Sequence, residues 1–345
     1  MAFWTIDLMA LDGASTPHSA APFKTARVTW AADGTGALEV TLSKAQAESG
    51  WWRAGQFRVA VRDGAGTRRY QGWLERLERG GDTSEVKGGG KVYRAASRGL
   101  AAILERRYIH GDFSQVAAVA TTAATAILAH IDAQTDDKTN FTVGTITGVA
   151  PSVTRYFCDG DEALAAINEL STYFAWEIDA NGAFNAWVGG RGTDRSGTYT
   201  ISDASTHDWE VSEDTTEMST YVTGLGDSDD STPCGPPLVV DFNALRTTYG
   251  RLESVLTDVT NSLGEMTDKT TEELRASQAA RYSLRTTWIE GYRAPWTFGT
   301  VWIGDLVNAD LGAAFGGVVK VKCTSITATL DPGKREFIET TWEAA

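Results

Sequence analysis

Cysteine and histidine are scarce in this sequence, and basic side chains are outnumbered by acidic ones. Three cysteines, Cys158, Cys234 and Cys323, are spread over 345 residues. Odd in number and far apart, they build neither a disulfide framework nor a Cys-x-x-Cys metal knuckle, and they read as small apolar residues of the interior. The four histidines, His18, His110, His130 and His207, show none of the spacings that hold zinc. His110 and His130 border an expected helix and should lie at the surface. Lys and Arg total 31 against 45 Asp and Glu, for a formal net charge of −14. That balance argues against a sequence-independent grip on nucleic acid, which depends on cations neutralising phosphates. A run of roughly 18 apolar residues, the minimum for a membrane span, is also missing. Met1 to Leu8 has no basic stretch leading into an apolar core, so neither Sec export nor membrane insertion is expected.

What is present is a long, aromatic-rich chain with 12 Trp and no low-complexity tract. Single cores stop growing near roughly 250 residues, so two or three domains are expected. Residues 1–97 alternate apolar and polar side chains in Trp4-x-Ile6-x-Leu8, Leu38-x-Val40-x-Leu42 and Phe57-x-Val59-x-Val61, the period of half-buried strands. Asp63-Gly64-Ala65-Gly66 supplies a hairpin turn before Arg69 to Trp73, and Gly80-Gly81 with Gly88-Gly89-Gly90 flank another short pair. A small antiparallel barrel or sandwich is expected here.

From Ser97 the period changes. Leu100, Ile103 and Leu104 outline a short helix; Ser114, as N-cap, opens a longer one burying Val116, Val119, Ala123, Ile127 and Ile131. A third begins at Asp159-Gly160-Asp161-Glu162, an acidic start suited to the helix dipole, and buries Ala163, Ile167, Leu170 and Phe174. Phe174 to Trp187 then reads as a hairpin around Asp179-Ala180-Asn181-Gly182, making residues 98–190 an α+β module. Strand signals resume over 191–345, interrupted by an expected helix at 271–284 with Thr270 and Glu273 as a capping box. A weak internal repeat links Gly55-Gln56-Phe57-Arg58-Val59 with Gly304-Asp305-Leu306-Val307-Asn308, each leading into two successive strands.

Catalytic constellations are missing. No Gly-x-Ser-x-Gly elbow or phosphate loop occurs, and Gly88-Gly89-Gly90-Lys91 resembles half a loop with no helix after it. The acidic clusters at Asp159-Gly160-Asp161-Glu162 and at Asp227, Asp229 and Asp230 lack calcium-loop spacing and read as a helix start and a solvated turn. Glu105, Glu162 and Glu177 are the candidate glycosidase carboxylates and the tryptophans a candidate sugar platform. Yet Trp51-Trp52, Trp176 and Trp187 sit on a core face or its rim. Asn140-Phe141-Thr142 is a glycosylation sequon without a secretory route. No catalytic, cofactor or metal residues are therefore assigned, and no enzyme activity is expected.

The order of segments carries a resemblance. Val92 to Leu100 leading into a helix, the Asp159 to Ile167 helix before an aromatic hairpin, and Val301-Trp302-Ile303-Gly304-Asp305-Leu306-Val307 near the end are together similar to the tail-hub proteins of long-tailed phages. The resemblance implies a mainly β fold with an α+β insertion, whose two β-barrels, residues 1–97 and most of 191–345, are related to the tail tube. It implies a homotrimeric structural protein of the virion at the distal tip of the tail, made in the host cytoplasm. Its partners would be a distal tail protein, a tape measure protein and tail fibre or tip proteins, with DNA passing through the lumen unbound. A receptor- or carbohydrate-binding adhesin, a cell-wall-degrading tail enzyme and the hub of a contractile machine are the competing readings.

Overall fold

The computed structural model describes residues 4–31, 36–81, 91–134, 139–213, 216, 218–226, 238–241, 246–247, 250–259, 267, 269–271, 273–274, 277, 282–289, 298–312, 317–332 and 336–345. The fold is mainly β. Two compact units form: the first from 1–193, 287–305 and 324–340, the second from 194–286, 306–323 and 341–345.

In the first unit, strands β1 (Thr5–Met9), β2 (Thr25–Ala31), β3 (Ala37–Leu42), β4 (Arg58–Arg62), β5 (Arg68–Gly81) and β6 (Lys91–Gly99) run in the order β1-β4-β5-β6-β3-β2, every pair antiparallel. The short helix α1 (Lys44–Ala47) follows β3 and is capped by Ser43 and Gln46 in a reciprocal box. Alternation decides the inner face: Ala26, Val28 and Trp30 of β2 and Leu38, Val40 and Leu42 of β3 are buried, and the residues between them are not.

The sheet curls. Flat, it would hold β2 about 14 Å from β5 and about 24 Å from β1 at ~4.8 Å per strand. Instead the Trp30 indole N–H donates to the Arg69 carbonyl at 2.8 Å, and Phe298 touches both Trp4 and Trp30, with ring centroids 4.8 and 5.3 Å away. Among the described residues the pairings nonetheless stay open and form no closed barrel.

The remainder of this unit is the α+β module. Leu100–Arg106 is a 3-10 turn, followed by β7 (Phe113–Val119), α2 (Ala120–Asp132), β8 (Thr142–Thr147), β9 (Ser152–Phe157), α3 (Ala163–Leu170), β10 (Ala175–Ile178) and β11 (Ala183–Trp187). Ile127, Ile131, Ile167, Leu170, Phe174, Trp176 and Phe184 share one core, each fully buried aliphatic side chain contributing roughly 1.5–3 kcal/mol. The expected third helix and aromatic hairpin are both present. The helix expected from Ser114 is not, because its first turn is strand. Phe113–Val119 pairs with β9, and Ala117 has φ +50°, outside the helical region. The helix starts at Ala120 instead.

The second unit pairs β12 (Thr200–Ile201) in parallel with β18 (Leu306–Asp310). The N-terminal half of β19 (Val318–Leu330) lies antiparallel to β18. The C-terminal half of β19 belongs to the first unit, where Ser325–Leu330 pairs with β2. Also in the second unit are β13 (Asp208–Glu213) and a three-stranded sheet of β14 (Tyr221–Gly226) between β15 (Leu238–Asp241) and β16 (Glu253–Val259). The last strands are β17 (Tyr282–Ile289) and β20 (Phe337–Ala344). The helix expected at 271–284 is shifted. Thr267, Lys269 and Thr270 are already helical, so Thr270 is no N-cap, and Leu284 sits buried in β17. The run Thr286-Thr287-Trp288-Ile289 favours extended backbone and stops the helix short.

Candidate functional site

The Gly304 motif has a steric explanation. Gly192 and Gly304 hold φ of +103° and +89°, and their backbones touch. A Cβ on Gly192 would lie 2.0 Å from the Gly304 carbonyl carbon, and one on Gly304 would lie 2.4 Å from the Arg191 oxygen. Neither position admits a side chain. Asp305 locks the contact. Its buried carboxylate accepts from the Thr193 amide at 2.7 Å and the Trp302 amide at 2.9 Å.

Beside this contact, and wholly inside the first unit, is a cavity of about 160 Å³. Arg68, Arg69 and Tyr70 of β5, Glu177 of β10, Asp179 of the following turn and Arg191 line it. Arg191, 8% exposed, is ion-paired with Glu177 and lies over the Trp187 ring at 4.9 Å. Burial pushes the Glu177 carboxyl above its usual value, opposed by Arg191. Arg69 pairs with Asp63 at 2.6 Å. Arg68 donates to Gln71 Oε1 at 2.8 Å and reaches the Ala180 carbonyl at 3.5 Å. Burial and the neighbouring Arg62 guanidinium lower its affinity for its proton. The Arg68 Nε and Arg191 Nη1 atoms are buried without a hydrogen-bond partner among the described residues. Sequence reasoning missed this site because residues 68, 69 and 191 show no common motif.

The candidate catalytic residues disperse. Glu105 pairs with Arg98 at 2.6 Å, Glu162 is the N-cap of α3 and Glu177 pairs with Arg191. In the Asp159 loop the carboxylates serve the backbone: Asp159 accepts from the Gly111 amide at 3.1 Å and Asp161 from the Cys158 amide at 2.7 Å. No group of three or more metal-binding side chains occurs among the described residues. His110 is exposed, His130 is half-buried and stacks on Phe113 at 4.7 Å, Cys158 is exposed against expectation, and Cys323 is buried. Trp52 and Trp176 are core residues, and Trp51 stacks on His18 at 4.7 Å. Lys91 opens a strand. Gly88-Gly89-Gly90, Asp227, Asp229, Asp230 and Cys234 lie outside the described residues.

Unpartnered apolar surface concentrates on the α+β module. All six residues of β8 are exposed, and Val143, Val149, Val116 and Tyr156 are 61%, 84%, 64% and 73% exposed. Strand β8 pairs in parallel with β11 on one side and, among the described residues, is the edge of its sheet on the other. Residues 142–150 carry no charge. An uncharged, β-branched edge of this kind is a liability in a free chain.

By sequence, the chain matches no protein-family model and no curated protein. By structure it is similar to the 43 kDa tail protein of prophage MuSo2 from Shewanella oneidensis, with 15% identity, a TM-score of 0.72 and 98% of both chains covered. A tail protein from Neisseria meningitidis MC58 aligns at 14% identity and TM-score 0.70, over 99% of this chain and 96% of that one. Prophage tail protein gp18 from Listeria monocytogenes aligns at 13% identity and TM-score 0.62, over 98% of this chain and 94% of that one. From end to end, then, the chain has the fold of prophage tail proteins, as its order of segments implied.

Proposed function

We propose that the chain is a structural component of a phage tail that forms a homotrimeric hub at the distal tip, continuing the tail tube and joining a distal tail protein to tip or fibre proteins. The observation that carries this reading is the paired hairpin. Gly55, at φ +73°, leads into the five-residue β4, antiparallel to the 14-residue β5; Gly304, at φ +89°, leads into the five-residue β18, antiparallel to the 13-residue β19. The paired residues of β4 and β5 lie in the first unit and those of β18 and β19 in the second, Gly304 itself belonging to the first. A chain that presents the same tube-type element twice supplies six from three copies, matching a sixfold tube.

The open order of the first sheet supports the reading, since a neighbouring copy can complete by main-chain bonding what one copy leaves open. The exposed β8 edge and Val149 provide apolar surface to bury on assembly. Residues 1–97 and 191–345 are the barrel-forming domains and 98–190 the α+β domain between them. A net charge of −14 per copy suits a bore that DNA crosses without sticking. The dispersed carboxylates fit a role without catalysis.

Light scattering on the purified chain tests the proposal. A particle of three chains is expected; a monomer at every concentration, or turnover of peptidoglycan by the same sample, contradicts it.

A further inference from the structure

We propose that the cavity between β5 and the β10–β11 hairpin is a binding site for one carboxylate group. Three arginines line it, and two of them already have acid partners: Arg191 has Glu177 and Arg69 has Asp63. Arg68 makes no ion pair among the described residues; its hydrogen bonds go to Gln71 and the Ala180 carbonyl. The nearby Asp179 carboxylate spends Oδ1 on the Asn181 and Ala183 amides at 2.8 and 3.0 Å. Arg68 is thus the one lining arginine with no direct ion pair among the described residues, although Asp179 and Asp7 attract it electrostatically.

Donors without acceptors point the same way. Among the described residues, Arg191 Nη1 and Arg68 Nε are buried with no hydrogen-bond partner, and a buried cationic N–H left unmatched is costly. Arg191 is held by Glu177 and by the face of Trp187, which fixes its guanidinium at the cavity wall. A guanidinium fork matches a carboxylate geometrically.

Size and charge set the class of ligand. At about 160 Å³ the cavity holds roughly five waters at ~30 Å³ each, enough for an acetate-sized group and too little for a nucleotide. Glu177 and Asp179 on the wall repel a dianion more strongly than a monoanion, which favours a monovalent carboxylate over phosphate. Two sources share this chemistry: an acidic side chain of a neighbouring tail protein, or a free small carboxylate.

The test is thermal denaturation of the full chain in sodium acetate, in N-acetyl-glutamate methylamide and in sodium phosphate, each against sodium chloride at equal ionic strength. A saturable rise in Tm with acetate is expected, with a smaller response to phosphate. Arg68→Gln, which leaves the Arg191–Glu177 pair intact, should weaken the acetate response at least roughly tenfold in apparent Kd. A stronger response to the glutamate derivative than to acetate assigns the site to a protein side chain, and the reverse assigns it to a free anion. No difference between acetate and chloride, or an acetate response unchanged in Arg68→Gln, overturns the proposal.

Discussion

The two glycine-led hairpins look alike in outline and differ in what holds their glycine. Gly55 faces open space, with nothing within 4 Å of where its Cβ would be. Gly304 is pressed against the Arg191 and Gly192 backbone and followed by the buried Asp305. Gly55 is therefore needed only for its positive φ, whereas Gly304 is needed for φ and for space. The same local signal can mark a simple turn in one place and a close-packed joint in another, and only the packing tells them apart.

The comparison can be broken by substitution. Gly304→Ala combines left-handed strain of about 1–2 kcal/mol with overpacking of about 1–3 kcal/mol, and should lower the urea midpoint most or prevent folding. Asp305→Ala, which strips a buried carboxylate from two amides, should cost roughly 2–3 kcal/mol in the same assay. Gly55→Ala should cost only about 1 kcal/mol. If Gly55→Ala proves as damaging as Gly304→Ala, close packing does not distinguish the two glycines.

Two ion pairs flank the Gly192–Gly304 contact in sequence, and their pH signatures should oppose one another with smaller amplitude. Burial raises the Glu177 carboxyl, so the native state holds that proton more tightly than the unfolded chain does. Its contribution is greatest below the ordinary carboxylate value and is lost as pH rises through the folded one. Asp194 is the reverse. Hydrogen bonds from Lys320, at 2.8 Å, and from Ser196 hold it well below its usual value, so its contribution is present at neutral pH and lost on acidification. Tm measured against pH should show Glu177→Gln removing the first slope. High salt should erase the second, because the Asp194–Lys320 pair is exposed and easily screened.

Much of the fold was legible wherever one side-chain period held. Leu38-x-Val40-x-Leu42 gave β3, Ala163 to Leu170 gave α3, and the turn at Asp179 to Gly182 gave the β10–β11 hairpin. The failures have local causes. Val116 and Val119 fit a helical face, but pairing with β9 and the left-handed Ala117 kept that segment extended. Strand β8 escaped notice because Thr142 to Thr147 buries neither face, and alternation reports only a half-buried strand. The cavity was invisible because its arginines come from residues 68, 69 and 191, and nothing in their spacing foretells that β5 would face the turn after β10.

Imaging of the assembled tail tip by electron cryomicroscopy tests the central claim most directly. The account predicts three copies of this chain around the bore, with the β4–β5 and β18–β19 hairpins alternating in six similar positions below the tube. A tip in which only one of the two hairpins faces the ring, or in which the copies do not number three, would contradict it.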